Sequence, residues 1–194
     1  MTGNAKGRTS VSGLINVLLE EDDMKKEIEE RLSCLIGLRL YKMGRASNLL
    51  WVSFGNGFDI LESNGKERAI GEFALNIQSC WRVTQQTKII VAYRDIYYPS
   101  RTWVGDMGLF DWDVQGMNRC DERIAEIINR MNKENFLLVE SIEADEVGGV
   151  TISFTSGCKL EIFPDNSTDT EYWRFFSKLE KDKHFVVTDK GIES

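Results

Sequence analysis

The chain has 194 residues, with 24 Lys and Arg against 31 Asp and Glu for a net charge of −7 at pH 7, and 42 % hydrophobic residues. That length can bury a full core without disulfide or metal support, and the ordinary apolar share excludes a disordered polypeptide. The acidic balance excludes a general attraction to nucleic acid or to anionic membranes, while leaving room for a local basic groove.

Residues 1–10 are small and polar and read as a flexible terminus. Residues 11–36 form a helical element in which Leu14, Ile15, Leu18 and Leu19, then Met24, Ile28, Leu32 and Leu35, recur at helical spacing. Asp22 or Asp23 is placed to cap the second stretch, and Met24 offers an alternative start of translation. From Leu38 the period turns twofold, opening a first β-unit over residues 37–98. Gly55-Asn56-Gly57 predicts a hairpin turn there, and residues 58–71 predict a long loop or an extra hairpin. Residues 99–135 combine an irregular aromatic and acidic loop with a helix capped by Asn118, whose buried stripe is Ile124, Ile127, Ile128 and Met131. A second β-unit fills residues 136–194, starting near Phe136 and turning tightly at Gly148-Gly149.

The two β-units share a pattern. Leu50 to Gly57 align without a gap on Val150 to Gly157, displaced by 100 residues. Each copy is followed by an alternating run, Ala74 to Ile77 or Lys159 to Ile162, then a Trp-Arg pair, Trp81-Arg82 or Trp173-Arg174. A third apolar run closes each half, Ile89 to Ala92 or Phe185 to Thr188. The expected fold is α+β in one compact domain: two similar antiparallel β-meanders from an internal duplication, an N-terminal helical element, and one connecting helix packed on the sheet.

Motifs for catalysis are sparse. His184 is the single histidine, and there is no G-x-S-x-G, P-loop or dinucleotide fingerprint. Cys34, Cys80, Cys120 and Cys158 are too widely spaced for a zinc site and read as reduced core thiols of a cytoplasmic protein. No apolar run reaches membrane-spanning length, and no signal peptide is evident. Asp111-x-Asp113-x-Gln115-Gly116, with Glu122 closing the stretch, resembles the calcium loop of EF-hand proteins. That resemblance implies Asp111, Asp113 and Glu122 as calcium ligands; Gln115 and Asn118 depart from it, and a helix capped by Asn118 explains the same residues without metal. Arg82 and Arg174, each beside an indole, could clamp a small acidic or phosphorylated ligand between the halves, or could pair with glutamates such as Glu171 or Glu72.

Tyr97, Trp103 and Trp112, interleaved with Asp111 and Asp113, suit a protein interface better than nucleic acid. The leading expectation is a non-enzymatic binding protein using this acidic aromatic surface on a basic protein partner. The alternatives are an enzyme or sensor with paired arginines, and a divalent-cation binder. In size, acidity and lack of an active-site motif the chain is similar to small bacterial immunity proteins that neutralise toxins, a likeness of type rather than of motif.

Overall fold

A computed structural model describes residues 24–61, 65–131, 137–180 and 183–193. The helical reading of residues 11–23 and the start of the second unit at Phe136 lie outside the described residues. Helix α1 covers residues 24–32 and passes into a single tight turn, Ser33–Leu35. Its apolar stripe is the expected one, with Ile28, Leu32 and Leu35 fully buried.

Among the described residues thirteen strands follow: β1 Leu40–Ala46, β2 Leu49–Phe54, β3 Phe58–Leu61, β4 Glu67–Ile70, β5 Phe73–Ile77, β6 Cys80–Gln85, β7 Lys88–Ala92, β8 Val139–Ala144, β9 Val150–Phe154, β10 Cys158–Phe163, β11 Glu171–Ser177, β12 Phe185–Thr188 and β13 Gly191–Glu193. Helix α2, Arg119–Met131, separates β7 from β8. Sheet I runs β1-β2-β5-β11-β12-β13 and sheet II runs β7-β6-β10-β9-β8, with antiparallel pairing throughout. The fold is α+β with antiparallel sheets. Residues 58–70 form the separate hairpin β3-β4, so Gly55-Asn56-Gly57 leads into an insertion instead of turning β2 onto its partner. The equivalent residues of the second half, Thr155–Gly157, do join a paired hairpin, β9 to β10, with Ser156 and Gly157 at positive φ.

The halves exchange strands. β1, β2 and β5 build one end of sheet I, after which the chain crosses and gives β6 and β7 to sheet II. β8, β9 and β10 build sheet II in the same order, after which β11 and β12 cross to sheet I. The first crossing uses only Gln78 and Ser79, whose amides donate to the Tyr172 carbonyl at the second crossing (2.9 and 3.1 Å). Immediately after each crossing comes a buried tryptophan, Trp81 or Trp173. The core lies between the sheets, where the equivalent residues Phe54 and Phe154 stack with ring centroids 6.5 Å apart. α2 packs against β1 and β7, while Glu29 of α1 accepts a hydrogen bond from the Ala144 amide at the end of β8 (3.0 Å). Each helix thus lies by the outer strand of the other half's sheet.

All four cysteines are free, as expected. Burial pushes the Cys120 thiol up to about 12 and Cys158 to about 11, so both are inert packing groups. Cys34 differs from the core reading because it sits exposed on the turn after α1.

Candidate functional site

Residues 93–118 join β7 to α2 with little regular structure, and irregular connections of that length inside a compact domain usually carry function. The loop is tied at its base. Pro99 bridges Asn118, the Ser100 amide donates to the Met117 carbonyl (2.8 Å), and the Arg119 amide donates to Tyr98 (2.7 Å). Asn118, fully buried, caps α2 as expected: its Oδ1 accepts from the Asp121 amide (2.8 Å) while its Nδ2 donates to the Trp112 carbonyl (2.8 Å).

The C-terminal end of the loop closes on a residue that the sequence pattern did not single out. Arg45 of β1 has a side chain only 1 % exposed, and its guanidinium grips Asp121 bidentately at 2.8 and 2.9 Å. The same group donates to the carbonyls of Ser47 (3.1 Å), Asp113 (3.4 Å) and Val114 (3.2 Å) and reaches the Asp113 carboxylate at 3.4 Å. Asp121 also accepts from the Gly116 amide (2.7 Å), and Gln115 donates to the Arg45 carbonyl (3.2 Å). One signal could have revealed Arg45: in β1 it falls on the same strand face as Met43, where an apolar residue is expected.

The residues of the calcium-like motif are distributed around this arginine. Asp113 faces Arg45, Asp111 accepts from the Asp113 amide (3.0 Å), and Glu122 turns to Arg101 and Arg119 (3.0 and 2.9 Å). Among the described residues no three His, Cys, Asp or Glu side chains converge on a metal position. The positive charge inside the loop is the guanidinium.

Arg101, Arg119, Glu122, Arg123 and Glu126 form an ion-pair network along the exposed side of α2, with Arg101 linking the loop to the helix. Burial alone would raise the Glu122 pKa, but hydrogen bonds from Arg119 and from the Arg101 amide and guanidinium outweigh it and bring the carboxyl down to about 2. A depressed carboxylate stabilises the fold above its unfolded pKa of about 4.3, and that contribution is lost as pH falls through the folded value. The stability gap between wild type and Glu122→Gln, followed by urea unfolding, should therefore be constant above about pH 5 and close progressively toward pH 2. A gap unchanged over that range would refute the network's role.

The aromatic residues divide into struts and surface. Trp112 and Trp103 are half-buried: Trp112 packs edge-on against Tyr97 (5.6 Å between centroids) and Trp103 against Phe110 (5.7 Å). The exposed apolar side chains are instead Tyr97, Tyr98, Val104, Met107, Leu109 and Val114, with Val104 96 % and Leu109 79 % exposed. Asp106, Asp111 and Asp113 are exposed among them. Arg82 and Arg174 lie on different sheets. Arg82 holds Glu161 bidentately at 2.8 and 2.7 Å, and Arg174 holds Glu171 through both Nε and Nη2. Their forks are filled by carboxylates of the chain itself.

No protein-family model matches the chain, and neither the curated proteins nor the solved structures provide a match. No helix of the described residues is long and apolar enough to cross a membrane.

Proposed function

We propose that this chain is a non-enzymatic, cytoplasmic binding protein that presents residues 97–114 to a partner protein with a basic surface. One observation carries the reading. Six large apolar side chains stand exposed along a loop that is fastened at its base and tied to β1 by the buried Arg45. Exposed apolar side chains gain free energy when a partner covers them, because apolar area is removed from solvent while a loop tied at its base loses less entropy than a free one. Asp106, Asp111 and Asp113 supply negative charge at the patch, which selects and steers a basic partner. This mode of action, covering a basic protein with an acidic surface, is of the immunity-protein type.

The two halves, we infer, descend from a duplicated helix-plus-five-strand unit. The matching strand orders of the two sheets, the stacked Phe54 and Phe154, and the reciprocal helix placement support that descent. Among the described residues the loop occurs in one copy.

Parallel affinity selections with wild type and with Val104→Ser/Met107→Ser/Leu109→Ser test the reading. All three side chains are exposed, so the variant should fold with unchanged stability. A protein held by wild type and released by the variant becomes the partner for titration. Equal retention of every captured protein by both baits would overturn the proposal.

A further inference from the structure

A second feature, independent of the loop, is a pocket of about 240 Å³ between the last turn of α2 and sheet II. Val83 of β6, Cys158 of β10 and Ile127 and Met131 of α2 wall it with buried apolar groups, while Gln85 and Arg130 bring polar ones. The Gln85 amide is turned to the Ser156 carbonyl (3.5 Å), which leaves Arg130 as the charged group of the site.

The pocket has a cause in the repeated pattern. Aligning Trp81-Arg82 with Trp173-Arg174 sets Val83 on Phe175, and aligning Ala74 to Ile77 with Lys159 to Ile162 sets Cys158 on Phe73. The strand registers agree. On sheet II Val83 opposes Leu160 and Gln85 opposes Cys158, just as Phe175 opposes Leu75 and Ser177 opposes Phe73 on sheet I. In sheet I the space is full: Phe175 stacks on Phe73 with ring centroids 5.6 Å apart and pairs across to Phe185 on β12. In sheet II the corresponding residues are Val83, Cys158 and, across on β7, Val91. Three rings are replaced by three small side chains, and the room they leave stays open beside α2. What fits such a space is shown by the other half of the molecule, where aromatic rings occupy it.

Charge selects the rest of the ligand. Arg45, Arg82, Arg101, Arg119, Arg123 and Arg174 all hold carboxylates of the chain, whereas among the described residues Arg130 holds none and no acidic side chain lines the pocket. A cation in the last turn of α2 also offsets the helix dipole, which accounts for the charge but not for the open apolar space next to it. An unoccupied guanidinium accepts a carboxylate through two parallel hydrogen bonds. Size sets a limit as well. An aliphatic cavity of roughly 150 Å³ takes up one benzene ring, so this pocket has room for a single ring with a short polar arm.

We propose that this pocket binds a small aromatic carboxylic acid, with its ring against Val83 and Cys158 and its carboxylate on Arg130. Amide-shift titrations of the full chain with 3-phenylpropionate, 3-phenylpropan-1-ol and propionate test the site. 3-Phenylpropionate should shift the amides of Val83, Ile127 and Cys158 saturably, with a Kd below about 1 mM, and propionate, which lacks the ring, should not. Arg130→Gln should weaken the acid at least about tenfold and leave the alcohol unchanged, since only the acid meets the guanidinium. Arg130 is exposed, so the thermal midpoint of the unliganded variant should stay nearly the same. Val83→Phe and, separately, Cys158→Phe each restore a ring that sheet I carries, and either variant, once shown to be folded, should lose both ring ligands. Absence of saturable shifts with 3-phenylpropionate up to about 10 mM would overturn the proposal. Acid affinity indifferent to Arg130→Gln, or binding retained in a folded ring-restoring variant, would do the same.

Discussion

Arg45→Ala is expected to destabilise the protein by about 3–5 kcal/mol, the usual cost of removing one member of a buried ion pair. The reason lies in what remains behind. Asp121 has a side chain only 11 % exposed, and without the guanidinium it keeps one hydrogen bond from the Gly116 amide to satisfy a buried carboxylate. The carbonyls of Ser47 and Asp113 lose the guanidinium as donor in the same step, and that of Val114 keeps only the Met117 amide (3.2 Å). Arg45→Met tests whether volume matters: it restores packing without charge, so it should recover little. The double variant Arg45→Met/Asp121→Asn should regain much of the loss, since it removes the orphaned charge as well. Urea unfolding of the four proteins measures this, and a single-variant cost below about 1 kcal/mol would mean that Arg45 is not the anchor. Loop opening should accompany the loss, seen as faster amide exchange at Gly116 and Arg119.

Trp173→Ala should cost a comparable amount, about 3–5 kcal/mol, by emptying the largest fully buried side chain between the sheets. A finer comparison separates the two tryptophans of the repeated pattern. Trp173 Nε1 donates to the Gly148 carbonyl (2.8 Å), whereas the buried Trp81 Nε1 has no partner among the described residues. Phenylalanine at 173 therefore strands an acceptor, while phenylalanine at 81 removes an unsatisfied donor. Trp173→Phe should be less stable than Trp81→Phe by about 1–2 kcal/mol, and the reverse order in matched denaturant melts would contradict this hydrogen-bond assignment.

Local pattern made much of the fold legible. The α1 and α2 stripes, the Asn118 cap, the strands around Trp51 and Ile152, and the extra hairpin within 58–71 follow from period and turn chemistry, which act over a few residues. The exchange of β6-β7 and β11-β12 between sheets was not legible, because a strand's alternation records that one face is buried and not which neighbour it pairs with. The same limit applies at the site. Aromatic and acidic composition pointed to residues 97–113, but composition cannot tell that Trp103 and Trp112 brace the loop while Val104, Met107 and Leu109 face water. Arg45 and Asp121 are 76 residues apart, and only the tertiary fold brings them within a hydrogen bond. The pairing of Arg82 with Glu161 follows from the β6-β10 register in the same way.

The central claim is that an anchored, acidic and apolar loop binds a basic protein. Calorimetric titration of the captured partner against wild type, Val104→Ser/Met107→Ser/Leu109→Ser and Asp106→Asn/Asp111→Asn/Asp113→Asn, at low and high salt, tests it most directly. The account predicts at least about a hundredfold loss for the serine variant at either salt, from removal of the apolar contacts. For the asparagine variant it predicts a loss that is large at low salt and small at high salt, as screened charge requires. Unchanged affinity in a folded serine variant would contradict the claim and move the interface elsewhere on the molecule.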